Sequence, residues 1–251
     1  MPVRRIPPSH RSLTGRVAGT KCVGEAAFES TLERDLLLVL EFAPVAAAYE
    51  VQPIRIPYVD ESGRAHTYTP DVLIHRQHPD GSSLAPLLCE VKYRTDVKRY
   101  SAVERRAVVA KFRAARRYAR ERGWCFRLLT ERHIRSPYLQ NARFLLPFRT
   151  HPARTERLAR IVRRVEERGS EPADQLLAAV AEGPGRGAHS DYSWCIPGLW
   201  HLLATGQLVA DYTVPLTMQT AIYHRGYEAG PSLQGDPIWL HSYRTGADAR
   251  E

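Results

Sequence analysis

Tyr68-Thr69-Pro70-Asp71-Val72-Leu73-Ile74 and, beyond a Pro/Asp/Gly/Ser loop at residues 79–83, Leu87-Leu88-Cys89-Glu90-Val91-Lys92-Tyr93 read as consecutive strands, and their charged residues decide the fold. Glu90 and Lys92 are two apart, so a strand projects both from one face. They interrupt an otherwise apolar run, and burying charge without a partner is costly. Pro70 before Asp71 points to an edge or a bulge. The cheapest arrangement gathers the carboxylates around a divalent cation and sets the lysine beside them. Magnesium, with manganese as a substitute, suits such oxygen ligands: it takes one or two carboxylates plus phosphate oxygens and water. Such an ion polarises a scissile phosphate and lowers the pKa of a bound water. The lysine orients that water or steadies the developing charge, and desolvation can lower its pKa. Taken singly, a Glu-x-Lys in a strand is most often a surface ion pair and a Pro-Asp a turn. Their combination in consecutive strands is what points to phosphodiester hydrolysis.

Upstream, residues 25–42 have helical composition, with Phe28, Leu32, Leu36 and Leu40 at i+4 and Val39 alongside. Pro44 ends that helix. Its inner side carries Glu33, the candidate to complete a metal shell, with Glu29 one turn away as a substitute. Ile54, Ile56 and Tyr58 alternate as in a half-buried strand, Asp60-Glu61-Ser62-Gly63 is a turn, and residues 66–74 form the second strand of a β-meander. Gln52 follows the first strand, which could bring it near the site, but hydrogen bonding within the sheet is its favoured reading. Downstream, residues 101–122 form a basic helix whose apolar face is Val108, Phe112, Ala115 and Ala119, with Gly123 as its C-cap. Residues 124–130 then return as a strand. Strand–helix–strand order implies a parallel crossover, and so a mixed sheet flanked by helices in an α/β fold.

The charge supports a polyanionic partner. Residues 1–91 carry 9 Lys/Arg against 11 Asp/Glu (−2), residues 92–149 carry 17 against 4 (+13), and residues 150–251 carry 10 against 12 (−2). The whole excess lies in one stretch, where Lys98, Arg99, Arg105, Arg106, Arg113, Arg116, Arg117 and Arg120 are candidate DNA contacts. No run approaches the roughly 20 apolar residues of a bilayer span, so no membrane role is expected and the cytoplasm is the expected compartment. The four cysteines are scattered without metal-ligand spacing, which excludes a zinc module or disulfide framework. The ten histidines are equally dispersed. Ser190-Asp191-Tyr192 lacks the context of an activated nucleophile, and Trp194, Trp200 and Trp239 read as core.

The organisation expected is an N-terminal arm at residues 1–24 that orders only against something else, a catalytic domain at 25–150, and a C-terminal domain at 151–251. In the last, residues 153–168, 172–181 and 196–203 read as helices and residues 208–212 as a strand, followed by a loose tail after about residue 230. Three helices and a short hairpin are the element order of a winged helix. The third helix, Ile196-Pro197-Gly198-Leu199-Trp200-His201-Leu202-Leu203-Ala204-Thr205, is apolar and better suited to a protein groove than to base edges.

Pro70-Asp71 followed by Glu90-Val91-Lys92 is the pattern of the PD-(D/E)xK nuclease superfamily. Ser30-Thr31-Leu32-Glu33-Arg34-Asp35, Leu40-Glu41-Phe42-Ala43-Pro44, Tyr49-Glu50-Val51-Gln52-Pro53, Tyr68-Thr69-Pro70-Asp71 and Thr130-Glu131-Arg132-His133-Ile134-Arg135 with Asn141 together resemble the TnsA family, over residues 25–150. TnsA is the endonuclease subunit of heteromeric transposases. The resemblance implies cutting of the non-transferred strand at the 5′ ends of the transposon. It also implies a DDE-type partner (TnsB-like) that joins the 3′ ends, and an AAA+ regulator (TnsC-like). On the family pattern Glu33, Asp71 and Glu90 are metal ligands and Lys92 is the catalytic lysine. The long loop between Asp71 and Glu90 departs from that pattern and leaves the strand pairing there open. Two other functions remain beside this one, a stand-alone nuclease of restriction or repair and a non-catalytic DNA-binding scaffold.

Overall fold

A computed structural model describes residues 14–150, 155–181, 188–226 and 236–241. Residues 1–13 of the expected arm, the Gly-rich break at 183–187 and most of the tail beyond residue 230 lie outside these, as do the side chains of residues 188–194, Trp194 among them. The chain divides into two compact units, one holding the residues up to Arg135 together with those from Ile238, the other Ser136–Pro237. The division falls at Ser136, the N-cap of a helix with Pro137 in its first turn.

In the first unit, β1 (Gly15–Arg16) pairs antiparallel with β2 (Ala27–Phe28). Helix α1 therefore begins only at Thr31 and runs to Phe42. The late start has a local cause. The Ser30 hydroxyl accepts the Glu33 N–H at 3.2 Å, and the Glu33 carboxylate accepts the Glu29 N–H at 2.8 Å and the Ser30 hydroxyl at 2.9 Å. Leu32, Leu36, Leu37, Val39 and Leu40 are fully buried, each worth roughly 1.5–3 kcal/mol as an upper figure. The second half of the expected arm is pinned to the domain. Glu41, almost fully buried, accepts the N–H groups of Thr20 and Lys21 and the Tyr49 hydroxyl. Any side chain at Gly19 would run into that carboxylate.

Five segments follow: β3 (Ala46–Val51), β4 (Ile56–Val59), β5 (Ala65–Tyr68), β6 (Val72–Gln77) and β7 (Ser83–Val91). The continuous strand expected at 66–74 is split at Pro70-Asp71, and the meander expected from 54 to 93 is two structures. β4 and β5 make a separate antiparallel ribbon, while the main sheet has the order β3-β6-β7-β8. Pro70 has no N–H to continue a ladder, and the chain crosses there from ribbon to sheet. After β7 come α2 (Arg94–Arg99), α3 (Ala102–Glu121), β8 (Cys125–Leu129) and α4 (Glu131–Ile134). β8 runs parallel to β7, with Glu90 opposite Leu128, so the crossover and the mixed sheet are as expected. α3 opens on a Ser101/Glu104 capping box and packs Ala114 and Ala115 on Ile56, Tyr68, Leu73 and Leu88, joining ribbon and sheet in one core.

In the second unit the elements are α5 (Pro137–Leu145), a short 3-10 turn (Leu146–Thr150), α6 (Thr155–Arg168), β9 (Ser170–Pro172), α7 (Ala173–Ala181), α8 (Ala188–Ala204), β10 (Leu208–Val209) and β11 (Ala221–His224). The three strands form an antiparallel sheet of order β10-β11-β9. Leu199, Trp200, Leu202, Leu203 and Ala204 of α8 are buried, so these apolar residues build the core of this unit. Asn141 is structural: its amide donates to the carbonyls of Tyr212 and Val214 and its oxygen accepts the Leu216 N–H.

The described part of the tail is ordered. α9 (Ile238–His241) belongs with the first unit, where the buried Arg76 donates to the Leu240 carbonyl, Arg127 to that of Trp239, and the Trp239 indole to that of His133. Trp239 and Trp200 are both buried, as expected of core residues. No described helix is long and apolar enough to cross a membrane.

Candidate active site

The loop between Asp71 and Glu90 does not separate them. β6 and β7 pair antiparallel with Val72 opposite Cys89, and the Asp71 N–H donates to the Cys89 carbonyl at 3.1 Å. Asp71 therefore sits at the mouth of the hairpin, just before β6, with one carboxylate oxygen accepting the Val91 N–H at 2.7 Å. Its other oxygen accepts no hydrogen bond among the described residues. Lys92 lies one residue past β7, its N–H bonded to the Leu129 carbonyl, so the ladder with β8 holds it in strand geometry. Its ammonium reaches Glu90 Oε1 at 3.2 Å, as side chains on a shared face do. Beyond it, the Tyr93 hydroxyl pairs with Thr31 Oγ1 at 2.7 Å and accepts from Arg135, which also donates to the buried Asp35. This network ties the start of α1, and with it Glu33, to the end of β7.

Glu90 is 2 % exposed and fully engaged: Oε2 accepts the buried Tyr68 hydroxyl at 2.7 Å, and Oε1 accepts Lys111 of α3 at 2.8 Å as well as Lys92. Burial first, then the charge of Glu90, holds the Asp71 carboxyl well above the usual carboxylate range, with Lys92 offsetting part of this. Burial would by itself lower the Lys92 ammonium, but Glu90 and Asp71 outweigh it and hold it above the ordinary lysine value. Lys92 is thus a charged donor, and the desolvated neutral lysine considered from sequence is not what the site makes.

Residues 44–131 match the family described as TnsA-like endonuclease N terminal. This segment is therefore similar to the N-terminal part of TnsA-like endonucleases. The match spans the main sheet and α3, so it takes in Asp71, Glu90 and Lys92 and leaves Glu29 and Glu33 outside. No curated protein matches the chain.

Before the matched segment, Glu33 is bound up in the cap of α1. Burial raises its carboxyl, and its charge acts on Asp71 while Lys92 acts on it. Glu29 is held by the Gln52 amide, whose nitrogen donates to it at 3.1 Å. The main chain of Gln52 continues the β3–β6 pairing, while its side chain lies outside it. Gln52 lies in the left-handed region at φ 48°, its N–H bonds the Asp71 carbonyl, and its buried side-chain oxygen has no partner among the described residues. The unpartnered amide oxygen next to Glu29 is an atom that a bound ion or water would satisfy.

The donors available to a cation are therefore hard oxygens: Asp71, Glu90, Glu33 and the Gln52 amide, which fit a divalent ion of the magnesium class. Among the described residues no three His, Cys, Asp or Glu side chains already converge as a metal shell, because Glu90 is turned to its lysines and tyrosine and Glu33 to its cap.

Lys98, Arg99, Arg105, Arg106, Arg113, Arg116, Arg117 and Arg120 are all exposed, on α2 and α3. Arg113 and Arg117 line a cleft of about 600 Å³ between α3 and the β4–β5 ribbon, with Tyr58 and His66 on its other wall. Lys111 and Tyr68 were missed in the sequence, although Lys111 is three residues past Val108 and four before Ala115. That spacing puts a lysine on the packed side of a basic helix, which is the signal that was available.

Proposed function

We propose that the chain is a divalent-metal-dependent DNA endonuclease and the nuclease subunit of a heteromeric transposase, cutting the non-transferred strand at transposon 5′ ends. The observation that carries this reading is the meeting of Asp71, Glu90 and Lys92 at the open end of the β6–β7 hairpin, inside the segment that matches a family of endonucleases. Asp71 and Glu90 would hold the ion, magnesium or manganese, with Glu33 and the Gln52 amide oxygen as further oxygen donors. When bound, the ion supplies a polarised phosphate and an acidified water. Lys92, charged and fixed by the ladder to β8, donates to the water or phosphate oxygen beside Glu90 and steadies negative charge as it develops. Asp71 is anchored through Val91, so its free oxygen keeps one direction. The exposed cations of α2 and α3 bind backbone phosphates, which positions a duplex without reading its sequence.

Sequence selection then falls to other subunits, a TnsB-like DDE transposase and a TnsC-like AAA+ regulator. For the second unit a winged-helix-like reading is supported by its order α6-β9-α7-α8-β10-β11 and its three-stranded sheet. The test is to incubate the purified protein, with and without a co-purified DDE subunit, with magnesium and labelled end DNA, and to map the nicks on each strand. Nicks confined to the 5′ side of the ends and dependent on the partner are expected. Efficient site-specific cleavage by the protein alone would instead favour a stand-alone nuclease.

A further inference from the structure

Among the described partners of the Glu90 carboxylate, Lys111 alone comes from a helix. It reaches down from α3, the helix whose exposed faces carry the arginines, and its ammonium lies closer to Glu90 Oε1 (2.8 Å) than that of Lys92 does (3.2 Å). It rests on the face of Tyr68, 4.4 Å from the ring centroid, and Tyr68 in turn donates to the other oxygen of Glu90. A cation that takes either oxygen of Glu90 must therefore share it with a positive charge or a hydroxyl. The two lysines differ in what it takes to move them. Lys92, 34 % exposed, is held by the charges of both Glu90 and Asp71, whereas Lys111, 23 % exposed, stands on the helix that carries the exposed arginines and can swing on its four-carbon stem toward that face.

We propose that Lys111 couples divalent-cation binding to DNA binding: its ammonium is the nearer of two on Glu90 Oε1 until a DNA phosphate takes it, which leaves that oxygen with Lys92 alone and open to the ion. This rests on the reading of Asp71 and Glu90 as cation ligands. A cation and the Lys111 ammonium compete for one carboxylate oxygen and repel each other, so cation binding to the DNA-free protein is weakened. A phosphate arriving along α3 offers Lys111 an anion of its own and offers the ion two further oxygens. Cation and DNA therefore each strengthen the other's binding by the same factor, as linkage requires. The arrangement keeps the site unloaded away from DNA without any domain movement.

The experiment titrates calcium, a hard oxygen-seeking cation, into the full chain by calorimetry, with and without short duplex DNA. The variants are Lys111→Met, which keeps the stem against Tyr68, Lys111→Gln and Lys111→Arg, with Glu90→Gln as the control for the cation site and melting curves to confirm folding. Wild type should bind calcium more tightly with DNA than without. Lys111→Met and Lys111→Gln should bind it roughly tenfold more tightly than wild type in the absence of DNA and show little further gain on adding DNA, within the usual range of coupling. Lys111→Arg should restore the wild-type pattern. Wild-type affinities in both states for folded Lys111→Met and Lys111→Gln would overturn the coupling while leaving the cation site standing. Calcium binding that is absent in wild type even with DNA present, or unchanged in Glu90→Gln, would overturn the cation reading and this inference with it.

Discussion

Replacing Glu90 by alanine should do more than abolish cleavage. The carboxylate is the acceptor for the Tyr68 hydroxyl, whose residue is only 4 % exposed, and for two ammonium groups whose side chains are 34 % and 23 % exposed. Leaving a buried hydroxyl without an acceptor costs roughly 1–3 kcal/mol. Removing one partner of a fully buried ion pair costs about 3–5 kcal/mol, but both lysines reach water, so only a fraction of that applies. Together these put Glu90→Ala about 2–4 kcal/mol below wild type, which lowers the melting temperature by on the order of 10 °C in a chain of this size. Glu90→Gln keeps an oxygen for one partner and fills the same space, and should lose about 1 kcal/mol or less. Urea titration with a chelator present, followed by circular dichroism, measures both. Alanine and glutamine variants equal within about 0.5 kcal/mol would refute the reasoning and show that the Tyr68–Glu90–Lys111 contacts contribute nothing net.

Asp71→Asn should show a pH signature. Because the Asp71 carboxyl is held above its ordinary value by burial and Glu90, the folded, metal-free protein keeps that proton to higher pH than the unfolded chain does. Its contribution to stability is complete below the ordinary carboxylate range and is lost as pH rises through the raised value. The melting temperature of Asp71→Asn relative to wild type, measured in chelator, should climb from about pH 4 upward; a flat difference would contradict the environment assigned to Asp71. Reversing Arg113, Arg116 and Arg117 to Glu should weaken duplex binding and flatten the log–log salt slope by about 0.9 for each phosphate that the helix no longer neutralises. An unchanged slope would mean that the exposed face of α3 is only solvated.

Much of the site was legible because it rests on short-range geometry. Glu90 and Lys92 share a face by strand periodicity, and the basic face of α3 follows from helical spacing. What was hidden depended on contacts distant in sequence. Ala46–Val51 carries three alanines and no alternation, and becomes a strand only because β6 lies beside it, Tyr49 opposite Ile74. The break at Pro70-Asp71 exists because β5 pairs with β4 while Asp71 bonds Cys89 and Gln52. Phe28 fitted the apolar period of α1, yet it belongs to β2, and the Ser30/Glu33 cap that marks the true start was present in the sequence. Lys111 looked like one more solvated cation in a basic helix, since only the docking of α3 on the sheet gives it a carboxylate.

The measurement that bears most directly on the central claim is strand-resolved, single-turnover cleavage of labelled transposon-end DNA by Lys92→Met beside wild type, each assembled with the DDE subunit, with manganese binding measured on the same samples. Lys92 is assigned to the water and phosphate and not to the ion. Lys92→Met should therefore bind manganese at least as well as wild type while its 5′-strand cleavage falls by about 100-fold or more, the scale of a lost positioned proton or charge donor. Cleavage by Lys92→Met within a few-fold of wild type, with manganese bound, would contradict the account.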